Sequence, residues 1–326
     1  MFTKDLITRD DFLLNNLRDG KSLPLVISPK APVDLEKVQT GIHELVEEML
    51  PKTGGILLRG FNPPGVDGFR QLAASFGHPL LNYEFGSTPR SQVDAGVYTS
   101  TEYPAHQSIP LHNEQAYTRQ WPMKIWFYCD IPSQTGGETP IADSRAIYRH
   151  LSPDLRARFE RKQLMYVRNY GNGLDLPWNQ VFNTHDPAEV ERYCRAQGIS
   201  FEWKDDGELR TREICQATAI HPRTKGSVWF NQAHLFHVSG LAPDVRETLL
   251  SVVDEDELPR NVYYGDGSAI EESILDEVRA VLAAESVIFP WQKGDVLMLD
   301  NMLVAHGRQP FTGPRRIVVA MAESNI

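Results

Sequence analysis

Cysteine is scarce. The chain has three, Cys129, Cys194 and Cys215, widely spaced and odd in number. They form no CxxC pair, which argues against a zinc-type site, and they suit small buried thiols in a reducing cytoplasm better than a disulfide framework. Positive charge is also in short supply: Lys+Arg 33 against Asp+Glu 43 leaves a formal net charge of −10. With no local basic cluster, that balance repels nucleic acid and anionic lipid. No apolar run approaches the ~20 residues of a membrane span. The N-terminal stretch MFTKDLITRDDFLLNN places charges where a secretory leader needs an apolar segment, so a soluble, unexported, cytoplasmic protein is expected. Runs of Gly/Ser or Pro, blocks of like charge and fixed-period repeats are missing too. The expectation is one elaborate domain over residues 1–326.

What is present reads as strands with a few helices. VDLEKVQTGIHELVEEML places Leu35, Val38, Ile42, Leu45, Val46 and Met49 at helical spacing, which predicts a buried-face helix up to Pro51. GGILLRGF follows as a strand and VDGFRQLAASFG as a helix ending at Gly77. In HDPAEVERYCRAQGI, Asp186 is an N-cap, Pro187 the first helical residue, Glu189 the closure of a capping box and Gly198 the stop. A last helix covers IEESILDEVRAVLAAE. The segments KIWFYCD, TPIADSR, LMYVRNY, SVWFNQAH, DVLMLDN and RRIVVAMAE are rich in β-branched and aromatic residues and read as strands. They do not alternate strictly with helices, which points to a mostly antiparallel sandwich or barrel with helices outside. Two long stretches without a period, Gly86 to Pro110 and Gly171 to Asp186, have the length of lids or binding loops.

In IPLHNEQAY, His112 and Glu114 are separated by one residue, so on an extended chain both side chains leave the same face and can share one ion. Asn113 then points the other way. Two histidines and one carboxylate on one face hold Fe(II) and leave the opposite positions open. Among the ten histidines, His306 is the best placed to complete such a face. DVLMLDNMLVAHGR runs a predicted strand into the loop that carries it, and PRRIVVAMAE returns as another strand. Arg315 and Arg316 open that returning strand on opposite faces. Arg316 shares its face with Val318, Ala320 and Ala322, whose small side chains leave room, whereas Arg315 lies with Ile317, Val319 and Met321. Arg316 is therefore expected to reach into a pocket and fork onto a carboxylate.

HNE, then GGETPIADSR, then DNMLVAHGRQPFTGPRR, in this order, resemble the taurine dioxygenase (TauD/TfdA-like) family of Fe(II)- and 2-oxoglutarate-dependent oxygenases, from about ILLRGF to the C-terminus. VYTSTEYP, WFNQAHLFH and the glutamate in place of the commoner aspartate are most similar to the branch containing the syringomycin-pathway aspartyl hydroxylase. The resemblance implies a mainly β fold with flanking helices around a double-stranded β-helix, or jelly roll. It implies a metal triad of His112, Glu114 and His306, with Thr139 and Arg316 on the distal carboxylate of 2-oxoglutarate. One departure matters: taurine dioxygenase has an arginine for the substrate sulfonate four residues beyond its co-substrate arginine, where this chain has Ala320, so taurine is not the expected substrate. The implied chemistry consumes O2 and 2-oxoglutarate, releases succinate and carbon dioxide, and takes hydrogen from a held C–H bond. Hydroxylation is the default outcome, with desaturation or cyclisation open to a different substrate geometry. Halogenation is disfavoured, because halogenases of this type have a small residue where Glu114 stands. The expected substrate is an amino acid or amino-acid-derived group in secondary metabolism such as antibiotic biosynthesis, either free or presented by a carrier protein. The alternative, a catalytically silent binding protein on the same fold, is opposed by the intact triad.

Glu102 in STEYP is a candidate for a substrate ammonium group, and Arg168 in YVRNY and Asn231 in WFNQ for a carboxylate or amide. Each is equally a structural hydrogen-bonding residue. His234 and His237 in QAHLFH are three apart, the spacing of a helical metal pair. Extended surroundings would turn them to opposite faces, and both are expected to be core or supporting histidines.

Overall fold

The computed structural model describes residues 11–18, 21–82, 90–100, 103–171, 173–205 and 207–326. Strands are numbered here in chain order. The largest sheet has the order β1 (Phe12–Arg18), β2 (Lys21–Pro29), β3 (Gly55–Leu58), β16 (Val296–Asp300), β7 (Pro122–Ile131), β19 (Arg316–Ser324), β5 (Val97–Thr99) and β4 (Gln92–Asp94). Its pairings are antiparallel except that of β2 with β3. A three-stranded sheet sets β17 (Val304–Arg308) between β6 (Ile109–His112) and β9 (Ile141–Asp143). A four-stranded sheet runs β11 (Ser200–Trp203), β12 (Leu209–Cys215), β10 (Leu164–Tyr170), β15 (Arg260–Tyr264). Two short pairs, β13 (Thr218–Ile220) with β14 (Ser227–Trp229) and β18 (Phe311–Thr312) with β8 (Thr135–Gly136), complete the strands. The arrangement is a jelly-roll core with flanking helices.

The central strands of the large sheet are buried on both faces, which is why they read as nearly continuous apolar runs. One face turns Phe127, Leu297, Ile317 and Val319 onto Ile141 and Val304 of the smaller sheet. The other packs Trp126, Met298, Val318 and Ala320 against helix α1 (Leu35–Thr53) and helix α2 (Gly65–Ala74), through Ile42, Val46, Phe69 and Leu72. Asp34 caps α1 by accepting from Glu36 N–H at 3.2 Å, and Gly54 ends it in the left-handed region at φ 78. The helix continues past Pro51, where it was expected to stop. The Glu47 carbonyl, four residues before the proline and deprived of its helical donor, accepts from Arg223 Nη2 instead at 3.4 Å.

Three local expectations change. TPIADSR forms only the short β9, because the Asp143 carboxylate accepts from Arg145 N–H at 2.8 Å and starts the helix Ser144–His150. SVWFNQAH is extended only through Trp229 and then turns into the short helix Ala233–Phe236, so His234 and His237 lie on that helix and at its end. The stretch from Gly86 to Pro110 contributes β4 and β5 to the sheet edge. No helix among the described residues is long and apolar enough to cross a membrane.

Candidate active site

β6 and β17 run antiparallel with His112 directly opposite His306. Their ring centroids are 4.6 Å apart, and Glu114 Oε2 lies 3.8 Å from His306 Nε2. One ligand atom from each of the three falls within 4.8 Å of the others. His112 reaches this face by strand alternation. Glu114 reaches it from the turn that follows β6, and the positive φ of 55 at Gln115 directs the chain onward after it. His112 Nδ1 lies 2.8 Å from the Pro110 carbonyl, so Nδ1–H donates there and Nε2 remains for a ligand. Burial lowers the pKa of His112. It takes His306 well below the ordinary histidine range, with the charges of His112 and Arg90 adding to the effect. Neutral imidazoles are the form that binds a metal. Two of them with one carboxylate, and cavities beside them, are the donor set of a non-haem Fe(II) centre. The residues present fit that ion.

A buried polar network fixes the HNE backbone. Asn301 accepts from Glu114 N–H through Oδ1 at 2.8 Å, and its Nδ2 donates to Glu114 O at 2.9 Å and Pro122 O at 2.8 Å. Asn113 turns away from the triad, as alternation requires, and donates to Asn301 O at 2.6 Å and Ser144 Oγ at 3.1 Å. Gln232 Nε2 donates to Asn113 O at 2.7 Å, and His234 Nε2 donates to Leu111 O at 2.8 Å. His234 is thus a support for the metal-facing strand and not a ligand. His237 Nδ1 pairs with Ser239. Sequence reasoning did not find Asn301 or Gln232; the only signal for Asn301 was its place at the end of an apolar strand.

One cavity is lined by His112, His306, Phe127, Thr139, Arg315 and Ile317, together with Arg90 and Arg308. Thr139 is buried, and its Oγ1 accepts from Trp291 Nε1 at 3.1 Å, which leaves its own O–H as the group to offer a ligand. Of the adjacent pair Arg315 and Arg316, the one that lines this cavity is Arg315. Its Nε donates to Gly137 O at 2.9 Å, and Nη1 lies 3.4 Å from Ser100 Oγ. Gly137, at φ 72, permits this approach: a Cβ there would stand 3.0 Å from both Cδ and Nε of Arg315. Burial, then the nearby Arg308 charge, lowers the Arg315 pKa to about 10, so it stays cationic at neutral pH.

Arg316, expected in this pocket, is not there. Its side chain is 45% exposed and donates to Asp130 Oδ2 at 3.1 Å. Alternation along β19 holds, but the two faces are used the other way round. Ile317, Val319 and Met321 face the interior that contains the triad, while Val318, Ala320 and Ala322 are small because α1 and α2 pack on them. The position four beyond Arg315 is Val319, also buried and apolar, so no sulfonate-binding arginine stands there either.

Arg308, also in the pocket wall, is 5% exposed. It donates to the carbonyls of Tyr103 (2.9 Å), Pro104 (2.6 Å) and Gln107 (2.8 Å), tying that loop to β17.

A second cavity of about 160 Å³ shares Arg90, Ile109 and His112 with the first and runs on to Glu114, Tyr117, Gln232, Leu235, Phe236 and Arg260. Arg260 forks onto Asp175 at 2.6 and 2.8 Å. Burial alone would raise the Asp175 pKa, but the Arg260 hydrogen bond and charge outweigh it and the net shift is downward. Of the proposed substrate contacts, Asn231 is structural: its Nδ2 donates to Ala217 O at 2.7 Å, and its Oδ1 accepts from Ala233 N–H at 3.0 Å. Arg168 is 7% exposed and faces a smaller cavity with Tyr170, Tyr193 and Glu213, on the far side of Tyr117. Its Nε and Nη2 meet no acceptor among the described residues. Glu102 lies outside the described residues.

The sequence profile of the family described as taurine catabolism dioxygenase TauD, TfdA family, matches residues 19–321. The dapdiamide synthesis protein DdaC of Enterobacter agglomerans is 42% identical over 281 residues, 86% of this chain and 85% of its own length. A clavaminate synthase-like protein of Arabidopsis thaliana is 32% identical over 326 residues, covering 94% and 95% of the two chains. Among solved structures, PvcB, an Fe, alpha-ketoglutarate-dependent oxygenase from an isonitrile synthetic pathway, superposes with a TM-score of 0.57 at 16% identity over 97% of this chain and 93% of its own. That likeness is one of fold.

Proposed function

Because this chain belongs to the TauD/TfdA family and is an Fe(II)- and 2-oxoglutarate-dependent dioxygenase, we propose that it hydroxylates an unactivated C–H bond of an amino acid or amino-acid-derived substrate in secondary metabolism. The observation that carries this reading is the meeting of two different cavities at one triad. One ends in a half-buried arginine, Arg315, and a buried threonine hydroxyl, suited to a small dicarboxylate. The other is walled by aromatic and aliphatic side chains with a few polar groups, suited to an organic substrate.

Iron with 2-oxoglutarate and oxygen supplies the oxidising power for C–H cleavage, with release of succinate and carbon dioxide. The chain's own residues do the rest. His112, Glu114 and His306 would hold the ion. Arg315 and Thr139 receive the distal carboxylate of 2-oxoglutarate, the role first assigned to Arg316 and Thr139. Tyr117, Leu235 and Phe236 exclude water beside the reacting carbon, and Gln232 and Arg260 offer polar contacts to orient the substrate. Glu114 fills the position that a halide would need. Buried Cys129, Cys194 and Cys215, all free thiols, accord with a reducing compartment. A relative named for dapdiamide synthesis supports a place in secondary metabolism, and the substrate is taken to be an amino-acid-type compound, free or presented by a carrier protein.

The test is succinate release from 2-oxoglutarate under air across matched free amino acids, their N-acyl derivatives and their pantetheine thioesters. Stimulation by a member of this panel, with a product 16 mass units heavier (one added oxygen atom), is the expected outcome. A product two units lighter would favour desaturation or cyclisation. Fe(II) and 2-oxoglutarate binding with no turnover on any member would favour a silent binding protein.

A further inference from the structure

Arg90 is a charged residue that both cavities share with the triad. Its side chain is 3% exposed, and Nη2 donates to Glu114 Oε2 at 2.7 Å; the Glu114 side chain is itself 6% exposed. The adjoining backbone is anchored. Ser91 N–H donates to Thr99 Oγ1 at 2.9 Å, Thr99 N–H donates to Ser91 O at 2.9 Å, and Thr99 pairs with Val318 on β19. The guanidinium is therefore presented from the edge of the main sheet.

A glutamate can bind a metal through one oxygen or both. Here Oε2, the oxygen 3.8 Å from His306 Nε2, also accepts a short, charge-assisted hydrogen bond from Arg90; it can keep that donor on one lone pair and offer the other to the metal, whereas turning Oε1 onto the metal as well would rotate the carboxylate away from its buried donor. Resting on the iron reading of His112, Glu114 and His306, we propose that Arg90 is a positioning residue that restricts Glu114 to one metal-bound oxygen and so keeps open a coordination position between the two cavities. The reaction needs that position. A facial triad leaves three sites, two for the keto-acid chelate and one for oxygen, and a second carboxylate oxygen would occupy one of them.

Anaerobic titration of Fe(II)-loaded protein with 2-oxoglutarate, followed by the visible charge-transfer band, tests this with wild type, Arg90→Gln and Arg90→Lys. In Arg90→Gln the half-saturating 2-oxoglutarate concentration should rise roughly 10-fold to 100-fold, the span for groups that orient metal ligands. Mn(II) affinity should hold or tighten, because Glu114 gains its second bond. Arg90→Lys, which keeps a cationic donor for one oxygen, should recover most of the 2-oxoglutarate affinity. Parallel loss of Mn(II) and 2-oxoglutarate affinity, or an unchanged titration in Arg90→Gln, would overturn the positioning role. An infrared difference spectrum of wild type with and without Mn(II), using ¹³C-glutamate labelling, needs no variant. One-oxygen binding separates the antisymmetric and symmetric carboxylate stretches widely, and a narrow separation would overturn the proposal. Wild type that binds neither Fe(II) nor 2-oxoglutarate would instead remove the iron reading beneath it.

Discussion

Exchanging the adjacent arginines Arg315 and Arg316 for glutamine, one at a time, should give opposite results for the co-substrate. Arg315 is half-buried in the cavity wall, its Nε on Gly137 O and its guanidinium carbon 5.3 Å from the Phe311 ring centroid. A hydrogen-bonded ion pair to a carboxylate at such a site contributes about 1.5–3 kcal/mol per bond. Arg315→Gln should therefore raise the 2-oxoglutarate requirement by roughly 10-fold to 150-fold. Arg315→Lys keeps the charge but loses the planar fork, and should fall between. Arg316 makes an exposed pair with Asp130, a contact of about 0–1 kcal/mol, so Arg316→Gln should shift the requirement by about fivefold at most. The assay is the 2-oxoglutarate concentration dependence of succinate formation at saturating Fe(II), with thermal unfolding run alongside. A large increase in Arg316→Gln with Arg315→Gln near wild type would refute the assignment of the inward face.

Two further perturbations probe the support of the triad. The His234 pKa is lowered to about 4 by burial. The native ring therefore stays neutral while the unfolded one takes a proton below about 6.5, and stability present above that pH is lost as pH falls toward 4, by about 3 kcal/mol at the limit. His112 and His306 shift in the same direction. Urea unfolding of metal-free protein from pH 7.5 to 4.5 should show the decline, and His234→Gln, which does not titrate, should show a shallower one; identical slopes would contradict it. Asn301→Ala removes three hydrogen bonds from a fully buried position and should cost about 3–5 kcal/mol, since backbone partners are left unpaired. It should weaken Mn(II) binding as well, measurable by electron paramagnetic resonance, and a stable variant with wild-type metal affinity would count against its bracing of Glu114.

The parts of the site visible in the sequence are those set by short-range geometry. His112 and Glu114 share a face because they are two residues apart; His306 is joined to them by the family resemblance, and it lies not in the expected loop but on β17, opposite His112. Alternation separated Arg315 from Arg316 equally well, but it defines two faces without saying which is inside. The small residues Ala320 and Ala322 were read as room for a ligand, when they are room for α1 and α2. The FNQAH segment looked extended from its aromatic content, and its turn into a helix depends on distant partners, Gln232 N–H on Tyr166 OH and Asn231 on Ala217 O. The groups the sequence did not show at all act across long separations: Arg90 on Glu114 over 24 residues, Arg260 on Asp175 over 85, Asn301 on Glu114 over 187. No local pattern encodes such pairs.

The central claim is that His112, Glu114 and His306 hold Fe(II) beside a 2-oxoglutarate pocket. Its most direct measurement is anaerobic addition of Fe(II) and then 2-oxoglutarate to wild type, Glu114→Ala and His306→Ala, with the visible charge-transfer band recorded at each step. The band should appear in wild type at one iron per chain, bleach with formation of succinate when oxygen is admitted, and be lost or strongly weakened in both variants while they remain folded. A wild-type protein without the band, or variants that form it as wild type does, would contradict the account.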